Sequence, residues 1–542
     1  MQGLMQYHPL MISSVIEFAA TYHGDTEVVS RRVEGDIHRS NYATINRRAK
    51  QIANALDAMG LAQSARVGTL AWNGYRHFEL YYGVSGSGRV LHTLNPRLHP
   101  EQLAWIINHA EDEALCFDMT FLPLVKAVAA KLPTVKRFIA LCDADKLPAD
   151  SGIPNLQSYE TWIGAHSDQY VWPAFDENLA SSLCYTSGTT GNPKGVLYSH
   201  RSTMLHAMAA GSPDVMGLSS RDCVLPVVPM FHVNAWGLPY LMAMVGCKIV
   251  FPGAQLDGKS IYELFESEQV NFSAGVPTVW QMLIGYLDAH NLKLSTMRRT
   301  VIGGSACPPA MMDAFREKYG VTVFHAWGMT EMSPLGTYGT LKGKHMAADW
   351  PTQRALLLKQ GRPVCGVDMK IIDPEGKRLP HDGKVSGDLL VRGSWIVKEY
   401  FKGEGGNILD NEGYFSTGDV ANIDADGFMQ ITDRSKDVIK SGGEWISSID
   451  VENIAMAHPA VAMAACIGIR HPKWDERPIL VVVKKPGAEV TADELRKFYD
   501  DKIAKWQIPD DVQFVDAIPL GATGKMQKAK LRESFKDYVL PT

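Results

Sequence analysis

The sequence predicts an α/β protein: a large N-terminal part of αβ layers at 1–433 and a smaller α+β part at 434–542. Three observations carry that expectation. Helical and strand periodicities alternate through the first 180 residues. The pattern repeats from about Ser181 to Asp433 with much Gly and Pro between elements. Past Arg434 the texture changes to short strands mixed with helices. Interleaving of this kind argues for parallel sheets covered on both faces. A chain of 542 residues can bury roughly three quarters of its unfolded surface and needs no disulfide or metal staple.

The elements follow in order. Tyr42, Ile45, Ala49, Ile52, Leu56 and Met59 recur at three- and four-residue steps, which predicts a helix over Asn41–Met59. A strand over Ala65–Ala71 and a helix around His77–Gly86 follow, then strands at Ala114–Phe117 and Arg137–Leu141. The mostly apolar Ser182–Cys184 reads as a strand end leading into a Gly/Thr-rich loop. In the last 109 residues, strands are expected at Ala462–Ile467, Ile479–Lys484 and Val512–Phe514, and helices at Ser448–Ala457 and Ala492–Ala504. Ile431–Lys440, with five charged residues and neither Pro nor Gly, reads as a strand end entering an exposed connector.

Composition removes whole classes of function. With 54 Lys+Arg against 59 Asp+Glu the net charge is −5, with 21% charged and 46% hydrophobic residues. That balance is unlike a disordered chain, and it leaves no basic excess to neutralise nucleic-acid phosphates. The eight cysteines are scattered with no C-x-x-C spacing, so buried free thiols are expected rather than a zinc knuckle or redox pair. No Lys or Arg precedes Arg31, so a secretory n-region is missing, and no apolar run approaches the roughly 18 residues of a membrane helix. A cytoplasmic location is the resulting expectation.

The most informative stretch is Tyr185-Thr-Ser-Gly-Thr-Thr-Gly-Asn-Pro-Lys194-Gly195. From Thr186 to Lys194 it sets four hydroxyls among two glycines and ends on a lysine. Small residues let backbone N–H groups converge on an anion, hydroxyls add donors, and the lysine adds a mobile point charge. A Walker A loop would need Ser or Thr after the lysine, where Gly195 stands. The string resembles the signature loop of the adenylate-forming superfamily: acyl-CoA synthetases, luciferases and the adenylation domains of peptide synthetases.

Further motifs follow in that family's order. Trp327-Gly-Met-Thr-Glu331 resembles its aromatic-G-x-T-E motif, Tyr414–Asp419 its Y/W-x-x-T-G-D, and Asp433–Glu444 its hinge and the loop after it. Pro519–Lys525 resembles P-x-T-x-x-G-K, with Gly521 standing where a polar residue is usual. Pro226–Tyr240, containing F-H-V-N-A-W, looks like the fatty-acyl-CoA synthetase branch.

The resemblance covers almost the whole chain, and its implications are specific. ATP would be held by Thr186, Ser187, Gly188, Thr189, Thr190 and Lys194 at its phosphates. Trp327, Ala326, Gly328, Gly304, Ser305 and Thr330 would also line the nucleotide site, and Asp419, Arg434 and Lys436 would complete it. Thr186 and Glu331 would hold Mg²⁺, and Gly442, Gly443, Glu444 and Trp445 would line the path of CoA. The carboxylic acid would lie among His232, Val233, Trp236, Gly303, Gly304 and Pro334, with Lys525, Glu331 and His232 acting catalytically. The resemblance further implies an acyl-CoA synthetase-like fold whose small C-terminal domain is mobile, pivoting at Asp433–Lys436, with the active site at the junction.

The implied reaction is ATP-dependent acyl-AMP formation followed by transfer to CoA, in a homodimer without nucleic-acid or membrane partners. Two groups of bacterial enzymes are most alike. One makes 3-(methylthio)propanoyl-CoA in dimethylsulfoniopropionate breakdown, which the general likeness favours; the other activates medium-chain fatty acids. Both acids are unbranched, apolar and monoanionic, so the lining residues leave the choice open. An adenylation protein that loads a separate carrier protein is a further alternative.

Overall fold

The structure is a computed structural model that describes residues 1–186, 192–441, 444–521 and 526–540, with Glu444 and Trp445 described by backbone alone. The chain divides into two compact units, Met1–Val367 with Gly393–Ile408, and Asp368–Arg392 with Leu409–Thr542.

The first unit is built on two sheets. The seven-stranded sheet runs Leu156–Ser158, Arg137–Ala140, Asp112–Phe117, Arg66–Leu70, Val90–Thr93, Ala180–Tyr185 and Gly195–Ser199 in spatial order. Its strands are parallel except at the last pair. The nine-stranded sheet is parallel through its centre, from Thr322–Gly328 across to Glu27–Arg31, and antiparallel at both edges. Parallel strands need helical crossovers, which cover the faces and make the apolar runs legible. Trp280, Leu283 and Leu287 of helix Pro277–His290 pack with Phe265, Phe315, Leu225, Val250 and Ile302 on one sheet. Leu103, Ile107 and Val125 pack with Leu115, Phe117 and Phe138 on the other.

Helix Tyr42–Ala58 matches its expected span, with the Asn41 side chain capping the Thr44 amide. Helix Tyr75–Gly86 is buried along its whole length. It packs on strands of both sheets, and its polar groups are all spoken for: Tyr81 donates to the Met230 carbonyl, Tyr82 to Pro239 and Ser85 to Ser181. Seven of the eight cysteines are buried free thiols; Cys365 is exposed.

The second unit holds a four-stranded sheet (Val367–Ile372, Gly387–Gly393, Phe415–Ile423, Met429–Arg434) and a five-stranded one centred on the long hairpin Val461–His471 and Asp475–Lys484. Strand Asp511–Phe514 adds to it in parallel. The expected helix over Ala492–Ala504 is shorter, Ala492–Lys497. The α-helical ladder stops at Lys497, after which the Tyr499 and Asp500 amides bond only three residues back, to the Arg496 and Lys497 carbonyls, and Asp501, at φ 61°, keeps the chain from resuming the helix.

Candidate functional site

The Gly/Thr-rich loop is the connection of an antiparallel hairpin. Strands Ala180–Tyr185 and Gly195–Ser199 pair with Tyr185 opposite Gly195. The loop's ends close on each other, since the Thr186 amide donates to the Lys194 carbonyl (2.9 Å) and the Lys194 amide to Thr186 Oγ1 (3.1 Å). Ser187, Gly188, Thr189 and Thr190 lie outside the described residues. A side chain at 195 would stand 3.0 Å from Phe401 Cβ and 3.2 Å from Leu183, so the glycine that breaks the Walker pattern is where the chain packs tightly. The Tyr185 hydroxyl donates to His109 Nδ1 (2.6 Å), whose Nε2 faces Glu404 at 3.4 Å. Partial burial holds the His109 imidazole below its ordinary pKa, consistent with a neutral acceptor.

Next to the hairpin, strand Thr322–Gly328 runs into the short turn Thr330–Met332. A Cβ at Gly328 would fall 2.1 Å from the Pro334 carbonyl oxygen, so only glycine fits. Trp327 is 8% exposed and its ring fills the side-chain space of Gly336; a purine stacking there would meet a nearly covered indole. Three bonds position Thr330 and Glu331. Tyr198 donates to the Thr330 carbonyl (2.6 Å), the Val397 amide to the Glu331 carbonyl (2.8 Å), and the Tyr400 hydroxyl to Glu331 Oε1 (2.7 Å). The ring of Tyr400 carries the Lys194 ammonium 4.8 Å from its centroid. One aromatic side chain therefore joins the expected phosphate lysine to the expected metal carboxylate. Burial, with the neighbouring Glu331 charge, pushes the Tyr400 phenol well up, so it stays a donor.

Glu331 is a buried hard-oxygen donor, and among the described residues no three His, Cys, Asp or Glu side chains gather into a metal cage. One carboxylate with a nearby hydroxyl is the protein's share that Mg²⁺ takes when substrate phosphates supply the rest. The residues present fit that ion.

The expected acid-binding wall is held by one polar group outside the motifs, Asn73, and one within them, Asn234. Asn73 donates to the Pro226 and Val228 carbonyls and accepts from the Met230 amide (2.7 Å). From Val233 to Gly237 five consecutive residues take left-handed backbone, with φ 46°, 49°, 47°, 58° and 76°. Left-handed turns of L-residues cost roughly 1–2 kcal/mol each. Asn234 offsets part of this by donating to Ser182 Oγ (2.8 Å). The turn starts at half-buried His232 and presents Trp236, whose indole lies 2.9 Å from where a Cβ at Gly303 would be. Gly303 thus makes room for that indole. Gly304 has φ 78°, and Ser305 beside it is exposed. His206, lowered by burial to about 4, accepts the Leu335 amide next to Pro334.

In the second unit, Asp419 and Arg434 face each other across strands Phe415–Ile423 and Met429–Arg434, with Arg434 Nε 2.8 Å from Asp419 Oδ1. Lys436 is exposed and sits beside Asp437, which pairs with Arg532 (2.7 Å). Asp433 accepts from the Ser448 amide and hydroxyl, and buried Lys528 reaches Ser448 Oγ (2.5 Å) and Glu452 (2.6 Å). Glu444 and Trp445 lie on strand Glu444–Ile446. Gly442, Gly443 and Lys525 lie outside the described residues. No helix among the described residues is long and apolar enough to cross a membrane.

Comparison with known proteins adds an independent line. Residues 16–401 match the model of the AMP-binding enzyme family, and 450–525 that of the AMP-binding enzyme C-terminal domain. The chain is 54% identical over 537 residues to a 3-methylmercaptopropionyl-CoA ligase of Ruegeria lacuscaerulensis, covering 99% of each chain. It is 52% identical over 540 residues to a medium-chain-fatty-acid–CoA ligase of Ectopseudomonas oleovorans, covering 100% of this chain and 98% of the relative. Among solved structures, an anthranilate CoA ligase in complex with anthranoyl-AMP superposes with a TM-score of 0.85 at 25% identity, covering 98% of both chains.

Proposed function

The chain belongs to the AMP-binding enzyme family, and from that premise we propose that it is an AMP-forming acyl-CoA ligase acting on 3-methylmercaptopropionate, that is, 3-(methylthio)propanoate. The observation that supports the nucleotide chemistry most directly is the joining of Lys194 and Glu331 through Tyr400 beside the hydroxyl-rich hairpin; the choice of acid is supported by the 54% identity over 99% of each chain to a 3-methylmercaptopropionyl-CoA ligase.

In the first half-reaction a carboxylate oxygen of the acid attacks the α-phosphorus of ATP. The bond to the bridging oxygen breaks, and pyrophosphate leaves with its electron pair. Lys194 and the hairpin hydroxyls, Thr186 among them, bind the departing phosphates, and Thr330 and Glu331 complete the cradle. Mg²⁺, when bound with the nucleotide, supplies further positive charge there. Asp419 and Arg434 hold the ribose, and Lys525 orients the acid. His232, Val233, Trp236, Gly303 and Pro334 line the acid's path. In the second half-reaction the segment beyond Asp433–Lys436 turns and Lys525 withdraws. The CoA thiol, passing Gly442–Trp445 and losing its proton to solvent, then attacks the acyl carbonyl and AMP leaves. Alternation keeps pyrophosphate exit and thiol entry from competing for one closed arrangement. A cytoplasmic homodimer is part of the same reading, checked by cell fractionation and sedimentation velocity.

The deciding experiment is a thioesterification assay with free CoA, comparing 3-methylmercaptopropionate with butanoate, hexanoate, octanoate and decanoate. The proposal expects CoA-dependent AMP release with the highest kcat/KM for the thioether acid. A maximum at octanoate would replace it with the medium-chain reading, for which the 52% identical relative speaks. Acid-dependent pyrophosphate formation with no AMP release on adding CoA would point to a carrier-protein acceptor.

A further inference from the structure

Residues Gly393–Ile408 return to the first unit as a strap. It is tied to the Glu331 turn by backbone and side chain. Ser333 Oγ donates to the Trp395 carbonyl (2.9 Å), Trp395 Nε1 to the Leu335 carbonyl (3.0 Å), and the Val397 amide to the Glu331 carbonyl (2.8 Å). Further on, the strap meets the base of the phosphate hairpin. Phe401 packs where a side chain on Gly195 would stand, Lys402 pairs with Glu111 (2.7 Å), and Glu404 faces the His109 that receives Tyr185. Gly405 passes so near Lys194 that a Cβ there would lie 3.0 Å from the ammonium. The strap therefore touches both chain segments that carry charge toward a nucleotide, and at one residue it touches both charges.

We propose that Tyr400 is a positioning residue of this site: its hydroxyl sets the carboxylate of Glu331, and its ring face sets the ammonium of Lys194. The proposal rests on reading the hairpin as a Mg·ATP cradle.

The two contacts are chemically separable. A lysine side chain has several rotatable bonds and loses considerable freedom when it meets a phosphate; an aromatic face under the ammonium restricts it beforehand through cation–π attraction. A carboxylate that ligates a hard ion through one oxygen is oriented by a donor on the other. Groups in that supporting position typically change metal affinity 10–100-fold when removed. Because both contacts come from one ring, a shift of that ring moves the metal-binding and phosphate-binding charges together. The spacing between them is then set by the fold before any ligand arrives.

Tyr400→Phe keeps the ring and deletes the hydroxyl, whereas Tyr400→Leu deletes both. Binding of α,β-methylene-ATP is to be measured calorimetrically across a Mg²⁺ series and without Mg²⁺, alongside thermal melts. The expected result for Tyr400→Phe is a rise of about tenfold in the Mg²⁺ concentration that gives half-maximal enhancement of binding, with Mg²⁺-free affinity unchanged. Tyr400→Leu should in addition weaken Mg²⁺-free binding about two- to fivefold, the size of an exposed to partly buried cation–π contact. Ser333→Ala loosens the strap without touching either contact and should keep the wild-type Mg²⁺ dependence.

A Tyr400→Phe titration that overlays the wild type overturns the proposal, as does an equal shift in Ser333→Ala. If Tyr400→Leu does not fold, the Phe and Ser333 variants still decide. A wild-type protein that binds the analogue neither with nor without Mg²⁺ overturns the nucleotide reading itself, an outcome distinct from the others.

Discussion

Gly303→Ala probes whether the Trp236 indole borders the acid. An added Cβ would stand 2.9 Å from Trp236 Cη2 and 3.0 Å from the Ala326 carbonyl oxygen, against the roughly 3.5–4.0 Å of an ordinary carbon contact. The Ala326 oxygen has little room to yield, because Ala326 pairs with Tyr338 on one side of strand Thr322–Gly328 and the preceding His325 pairs with Ile302 on the other. The indole must retreat, by about 0.5–1 Å on that comparison of distances. Its own backbone, at φ 58° within a left-handed turn, has little room to follow. Overpacking of this kind costs about 1–3 kcal/mol of stability.

If the indole moves into the space of the acid, it removes something like one methylene of contact, about 0.8 kcal/mol. That corresponds to a loss of about fourfold in kcat/KM for the acid. Pyrophosphate release measured against acid at saturating ATP, and against ATP at saturating acid, separates the effects. The expected outcome is a lower melting temperature, a raised KM for the acid and an unchanged KM for ATP. A melting temperature that falls while both KM values hold would show that the indole does not line the acid site. An unchanged melting temperature would contradict the packing itself.

Lys525→Ala should slow acyl-AMP formation by roughly 10²–10³, the scale for removing one charge-stabilising donor, and spare thioester formation from supplied acyl-AMP; the reverse pattern, measured in separate half-reaction assays, would remove the role given to Lys525. Asp118 is buried with its Oδ2 accepting the Trp72 amide (2.7 Å), and burial raises it to about 7 from an ordinary 3.8. A carboxyl whose folded pKa exceeds its unfolded one stabilises most below the unfolded value, and the benefit fades as pH climbs to 7. Asp118→Asn should therefore gain on the wild type by about 2–3 kcal/mol between pH 5 and pH 8, as read from urea melts; parallel pH profiles would refute this. Lys528→Met strands Glu452, whose burial already raises it to about 7, and should cost about 3–5 kcal/mol at pH 8, shrinking as pH falls and Glu452 takes a proton. Adding Glu452→Gln should recover most of that cost in denaturant melts, and no recovery would mean the pair is not the source.

The sheets and crossovers were readable because their signal is local. Tyr42, Ile45, Ala49, Ile52 and Leu56 turn inward from one helix face, and Asn41 marks its start. The same rule overran at Ala492–Ala504, where Leu495, Tyr499 and Ile503 keep helical spacing although the helix has already ended at Lys497 and passed into tighter turns. Spacing reports which residues want burial; it does not report where the backbone hydrogen bonds change register. The turn Val233–Gly237 is the sharper case. In V-N-A-W only Asn234 favours positive φ; Val233, Ala235 and Trp236 do not, and the conformation is held by Asn234 bonding out to Ser182 and by Asn73 on the segment before it.

The functional site divides along the same line. Lys194 and Glu331 could be picked out because phosphate and metal chemistry restricts which residue types serve, and each stands in a short string with its neighbours. Tyr400 stands in V-K-E-Y-F-K, a stretch with no chemical signature, and it reaches Glu331 from 69 residues away. A residue that works by holding other side chains is constrained by geometry alone: any rigid group of that length, with a donor at its tip and a face for a cation, would answer. Motif reading thus singles out the groups expected to touch ligands and passes over those proposed to set the distances between them. Those distances decide whether a lysine and a carboxylate joined through one tyrosine act on one triphosphate or neutralise each other, and Tyr400 is the residue at which the two cases separate.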